Sequence, residues 1–227
     1  MKNIKQILLS GILALFLSAC SKNSTMNTNN NDPVKENNFN SSEEAVNKGK
    51  NDLISLVKNN REFNLGLDLA ALEKSMPGKA VSEGIMSFDR LLQYRQDSIS
   101  ALVEDSRRLS TPLVAENNVV SIIGTTKTEK GWQLGALGNK SLTADLTELR
   151  NHTSLEQAQI SRIEVPNLQA VIYEVTNGRQ KQYFTTYGGR SLQRSVNPSE
   201  LMKQLQADAV SFQREFGDQL KNNRLVK

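Results

Sequence analysis

The chain has 227 residues, 37% of them hydrophobic and 23% charged, with a single Cys and a single His, and is long enough to bury a sizeable core. One Cys excludes an internal disulfide, a Cys-rich zinc site and a C-x-x-C redox pair, and one His excludes a two-His metal site. The formal net charge of +4 falls to +2 without Lys2 and Lys5, and it divides into 12 basic and 14 acidic residues up to Thr125 and 14 basic and 10 acidic beyond it, far short of the dense Lys/Arg footprint of a nucleic-acid binder.

Met1-Lys2-Asn3-Ile4-Lys5 is a short positive segment, and Ile7 to Leu17 is an apolar run broken only by Ser10 and Gly11. That run is too short for the roughly 20 residues that span a bilayer. Its charged, apolar and small-residue layout is that of an export signal. It ends in Leu17-Ser18-Ala19-Cys20, with the only thiol of the chain just after two small residues.

These four residues resemble the lipobox of bacterial lipoproteins. The resemblance covers only the first 20 residues and implies nothing about the fold that follows. It implies a leader over residues 1–19, cleavage before Cys20, and acylation of Cys20, which would tie the chain to a membrane. Each buried methylene contributes about 0.8 kcal/mol, and two or more chains anchor where one does not. The residue after the acylated Cys is Ser21 and not Asp, which by the enterobacterial sorting pattern implies the outer membrane over the inner one.

Residues 20–42 read as a tether. From Ser21 the sequence SKNSTMNTNNNDPVKENNFNSS is almost free of apolar residues and cannot bury enough surface to offset chain entropy. It reads as a flexible spacer, or as an Asn run that pairs with a partner.

The folded domain is expected over residues 43–227. Ala45, Gly49, Leu53, Leu56 and Val57 mark one helical face from Glu43 to Asn60. Phe63 to Leu69 is ambiguous, and a short helix follows to Met76-Pro77-Gly78. Ser87 reads as the N-cap of a long helix through Phe88, Leu91, Ile99, Leu102 and Leu109, closed at Thr111-Pro112. Val119 to Ile123 and Trp132 to Leu137 read as a hairpin, Ser141 to Asn151 as a helix, and Ile160 to Val165 as a strand. Leu168–Val175 and Gln180–Tyr187 form a second hairpin through Asn177-Gly178, with Glu174 opposite Lys181 and Val171 opposite Phe184. Asn197-Pro198-Ser199-Glu200 opens a final amphipathic helix with Leu201, Leu205, Val210 (or Ala209), Phe212, Phe216 and Leu220 on its apolar stripe. N-terminal helices, an antiparallel sheet with an inserted helix, and a C-terminal amphipathic helix make an α+β domain. Its element order loosely resembles nuclear-transport-factor-2-like domains.

Chemistry-bearing motifs are sparse. Ser55-Leu56-Val57-Lys58 matches S-x-x-K, but the S-D-N and K-T-G partners of that motif are missing. His152 is either a general base or a residue favoured at a helix C-terminus. Trp132 is either core or a ligand platform. Tyr183, Thr185, Tyr187 and Arg190 form the candidate partner-binding patch, an outward face of hydroxyls and rings with Arg179, Lys181 and Arg194 as a positive rim. No catalytic, metal or cofactor residue is nominated. The expected function is a non-catalytic binding or assembly module for an envelope partner (protein, peptidoglycan or lipid headgroup). A hydrolase of cell-wall polymers, needing two carboxylates brought together, and a mainly structural lipoprotein are the alternatives.

Overall fold

The computed structural model describes residues 38–59, 66–95, 98–152 and 158–221, and their side chains except those of 151–152 and 218–221. The expected leader, Cys20, the first part of the expected tether, Phe63 and the Leu220 side chain lie outside the described residues. The ordered fold begins earlier than Glu43. Asn38–Phe39 (β1) pairs with Gln133 and Trp132, and the Gln133 side-chain amide donates to the Asn38 side chain at 3.0 Å, so the end of the expected tether lies on a sheet edge. Ser41 caps the next helix: its Oγ accepts the Glu44 amide at 3.1 Å, and the Glu44 carboxylate accepts the Asn40 amide at 3.0 Å. This is a near-reciprocal cap that satisfies otherwise orphaned donors.

That helix, α1 (Ser42–Asn59), buries Ala45, Val46, Gly49 and Leu53 and leaves Leu56 exposed. It is followed by α2 (Leu69–Lys74), capped by the Asp68 carboxylate, and by β2 (Met76–Pro77) and β3 (Val81–Met86). The long helix expected after Ser87 does not form. α3 (Phe88–Leu92) is a single turn, a 3-10 turn covers Ile99–Leu102, and Val103–Ala115 is a strand, β4. The 3.6-residue spacing there was coincidental, because Leu109, Thr111 and Leu113 also alternate. Pairing with β3 on one side and β5 on the other, over most of the strand, outweighs local helix propensity. Pro112 is tolerated inside this strand because its carbonyl accepts the Gly78 amide at 2.7 Å. Its missing N–H therefore points to the same side, away from the β5 ladder.

β5 (Asn118–Thr128) and β6 (Gly131–Leu137) form the expected hairpin, and α4 (Lys140–His152) follows. β7 (Gln159–Val165), β8 (Ala170–Asn177) and β9 (Gln180–Thr185) make an antiparallel meander. The β8–β9 register differs from expectation: Glu174 faces Tyr183, Thr176 faces Lys181, and Tyr173 faces Phe184. The turn uses Gly178-Arg179 as its central pair, and Gly178 alone there has positive φ, at 60°. Glycine at the first central position suits a type II′ sign pattern, which shifts the pairing by two residues. α5 (Pro198–Lys221) starts at Asn197, whose side chain accepts the Ser199 and Glu200 amides at 2.9 and 3.3 Å. Its stripe runs through Ala209, with Val210 half-exposed.

Among the described residues, nine strands form one mixed sheet in the order β1-β6-β5-β4-β3-β7-β8-β9, with β2 on β4. Every pair is antiparallel except β3 and β7. The fold is α+β, with the sheet covered on both faces. On one face Leu142, Leu146 and Leu149 of α4 pack on Val81, Ile122, Ile160 and Tyr173. On the other, α1 and α2 cover Leu113 and Ile123, while α3 and α5 cover Ile163 and Ile172. Adjacent residues such as Ile122 and Ile123 serve opposite faces, which is why this strand reads as an apolar run broken only by Ser121.

Candidate functional site

The predicted patch on β9 and the turn that follows it is built into the fold. Thr185 is fully buried; its hydroxyl donates to the Val171 carbonyl at 2.5 Å and accepts the Tyr187 amide at 3.0 Å. Tyr183 donates to Glu174 at 2.8 Å and Tyr187 to Asp208 of α5 at 2.7 Å. Burial first, and these carboxylates second, push the Tyr183 phenol well above its ordinary value and that of Tyr187 up to about 12. Arg190 donates to the Tyr187 carbonyl at 2.9 Å and to Gln204 at 2.6 Å. The expected outward face is thus a set of ties between β8, β9 and α5. It turned inward because α5 covers this side of the sheet. Of the rim, Lys181 pairs with Glu174 at 2.8 Å, and Arg179 and Arg194 are exposed.

The other nominated residues do not converge. Lys58 reaches Glu73 of α2 at 2.6 Å, while Ser55 is exposed on α1. His152 is the last residue of α4, and Trp132 is half-buried opposite Phe39.

The sheet does assemble one charged cluster that no local motif announces. A bulge in β4, with Arg107 at φ 57° and Ser106 Oγ donating to the Glu83 carbonyl at 2.5 Å, sets Arg108 beside Glu83. Arg108 lies 3.4 Å from Glu83 and 4.0 Å from Glu164. Ser110 donates to the remaining Glu83 oxygen at 2.5 Å, and Arg162 pairs with the remaining Glu164 oxygen. Behind them Tyr173, 1% exposed, donates to Asp145 at 2.6 Å. Burial and that hydrogen bond hold its phenol far above the ordinary tyrosine range. Glu83 and Glu164 line a cleft of about 290 Å³. All four of their carboxylate oxygens are engaged, however, so the cluster ties three strands together and offers no free acid–base pair. Among the described residues, no group of three or more His, Cys, Asp or Glu is placed to hold a metal ion.

A groove of about 510 Å³ opens at the end of the sheet where β2, β3, β4, β5, β7 and α4 meet. Its floor is aliphatic: Val81, Val119, Leu146 and Ile160 are core side chains, and Val114 adds another. Met76, 71% exposed, stands on β2 at its mouth. The polar residues around it are Lys74, Lys79 and Arg150, with Glu116 and Asn117 of the β4–β5 turn. Both turn residues have positive φ, at 50° and 65°, as the type I′ hairpin requires. Neither the Lys74 nor the Arg150 side chain takes part in a hydrogen bond or ion pair with another described residue. Sequence reasoning missed this site because its walls and rim come from seven elements, α2 with Lys74 included, none of which carries a local motif. Met76-Pro77-Gly78 was legible only as the end of a helix.

No family model, curated protein or solved structure matches this chain.

Proposed function

We propose that this chain is a lipid-anchored protein of the bacterial envelope whose folded domain is a non-catalytic binding module, with the groove beside β2 as its binding site. The observation that carries the anchor is Leu17-Ser18-Ala19-Cys20, a sole thiol placed directly after an export-type apolar run. The groove supports binding over catalysis. It joins an apolar floor to a few charged groups, the usual make-up of a ligand site, whereas Glu83 and Glu164, the carboxylates that share the smaller cleft, are already engaged by Ser110, Arg108 and Arg162. Ser21 favours the outer membrane by the enterobacterial pattern.

Metabolic labelling with radioactive palmitate, followed by membrane fractionation, tests the anchor. The parent chain should carry label and sediment with membranes after a high-salt wash. The Cys20→Ser chain should carry no label and keep the size of the uncleaved precursor. Equal label and normal processing in Cys20→Ser would sink the anchor reading.

A further inference from the structure

We propose that the groove holds an anionic membrane lipid, with an acyl chain along the floor of Val81, Val119, Leu146 and Ile160 and the phosphate at the rim near Lys74 and Arg150. This rests on the reading of the domain as a binding module and names its ligand class. The lining side chains separate this occupant from the other envelope ligands. A glycan requires several hydrogen-bonding side chains and a ring to stack on, but among the described lining residues there is no hydroxyl and no aromatic, and Asn117 is the one neutral amide. An extended peptide requires an open strand edge. Here β2 is only two residues long, Pro77 has no amide to donate, and the Gly78 amide already serves Pro112. What remains is aliphatic surface for a hydrocarbon chain, bounded by three cations against one acid. That combination matches a chain with an anionic head.

Met76 suits the same occupant. An unbranched, exposed thioether at the mouth can repack around chains of different length. The volume of about 510 Å³ falls in the usual range for small-molecule sites, roughly 300–1,000 Å³. A protein tethered at a lipid surface would meet this ligand at high local concentration.

Calorimetric titration of the full chain carrying Cys20→Ser, which bears no acyl group of its own, separates the two halves of the ligand. The probes are oleoyl lysophosphatidate, monoolein and glycerol 3-phosphate, each below its aggregation threshold. Lysophosphatidate should bind one to one, and the two partial ligands at least roughly tenfold more weakly. Arg150→Gln should weaken lysophosphatidate by roughly tenfold, the scale of one charge-assisted hydrogen bond, and leave monoolein unchanged. Ala80→Trp, which places an indole in the groove, should weaken both lipids, with circular dichroism reporting that the fold is kept. Monoolein or glycerol 3-phosphate binding as tightly as lysophosphatidate would overturn the proposal, as would lysophosphatidate binding that neither variant alters. No lysophosphatidate binding, with palmitate labelling at Cys20 intact, removes the lipid assignment and leaves the anchor. Binding without labelling at Cys20 removes the anchor and leaves the ligand.

Discussion

Replacing Gly49 by Ala tests how closely α1 lies on the sheet. At an exposed helix position this change stabilises by about 1 kcal/mol, because Ala loses less backbone freedom on folding. Gly49 is buried against β5 and β6. A Cβ there would sit 2.7 Å from a Leu134 methyl, 2.8 Å from an Ile123 methyl and 3.3 Å from a Leu137 methyl. Comfortable carbon–carbon contact is about 3.5–4.0 Å, so two methyl groups must retreat by roughly 0.7 Å or more. Leu134 is half-buried and can turn, but Ile123 is 0% exposed and β-branched, with little χ1 freedom. Overpacking of this kind costs about 1–3 kcal/mol, which cancels or exceeds the helix gain. Urea unfolding should show Gly49→Ala destabilised by about 0–2 kcal/mol, and Gly49→Val by more. In a double-mutant cycle, Leu134→Ala should recover about 1 kcal/mol of the loss by vacating the space. A Gly49→Ala midpoint above that of the parent chain would refute the close approach of α1 to the sheet.

Two further outcomes follow from the polar ties. Tyr173→Phe leaves Asp145 without its phenol donor and should cost about 1.5–3 kcal/mol in the same unfolding assay, the range for hydrogen bonds to charged groups. Tyr183→Phe should cost less, because Glu174 keeps Lys181; equal losses would contradict the assignment. Stability should also fall in alkali. Tyr173, Tyr183 and Tyr187 all have folded-state pKa values raised above the ordinary tyrosine value, so above about pH 10 the unfolded chain releases protons that the folded chain retains. Their contribution is intact below pH 10, and that of Tyr187 is lost as pH rises from about 10 to about 12. Urea midpoints at pH 8, 10 and 11 should decline in that order, and less steeply in Tyr173→Phe. A flat profile would show that these phenols are not held neutral by the fold.

Local signals carried much of the fold. The capped start of α5 at Asn197-Pro198, the leucine spacing of α4, the β5–β6 hairpin and the α+β class were all readable, because each rests on residues within one or two turns of one another. The reading failed where long-range pairing competed with local pattern. Ile99 to Leu109 offers helical spacing, yet strand partners on both sides of β4 decide its state. In the β8–β9 hairpin, Asn177-Gly178 marked the right place, but the turn centred one residue later and moved every cross-strand pair. Tyr183, Thr185, Tyr187 and Arg190 were legible as a cluster, but not as one half-buried under α5, because the α5 residues that hold it, Gln204 and Asp208, lie 14 residues after Arg190 and 21 after Tyr187.

The sequence alone determined the lipobox-like start, the lack of a recognisable reactive motif, and which segments are amphipathic, since these depend on neighbouring residues and on counts of residue types. Only the tertiary structure decided the site. A parallel β3–β7 pairing, with α4 returning over the sheet, brings Lys74, Arg150 and an aliphatic floor from strands far apart in the chain to one open end. The physical reason is that a groove exists only as space between packed elements, and periodicity along a chain carries no information about space of that kind.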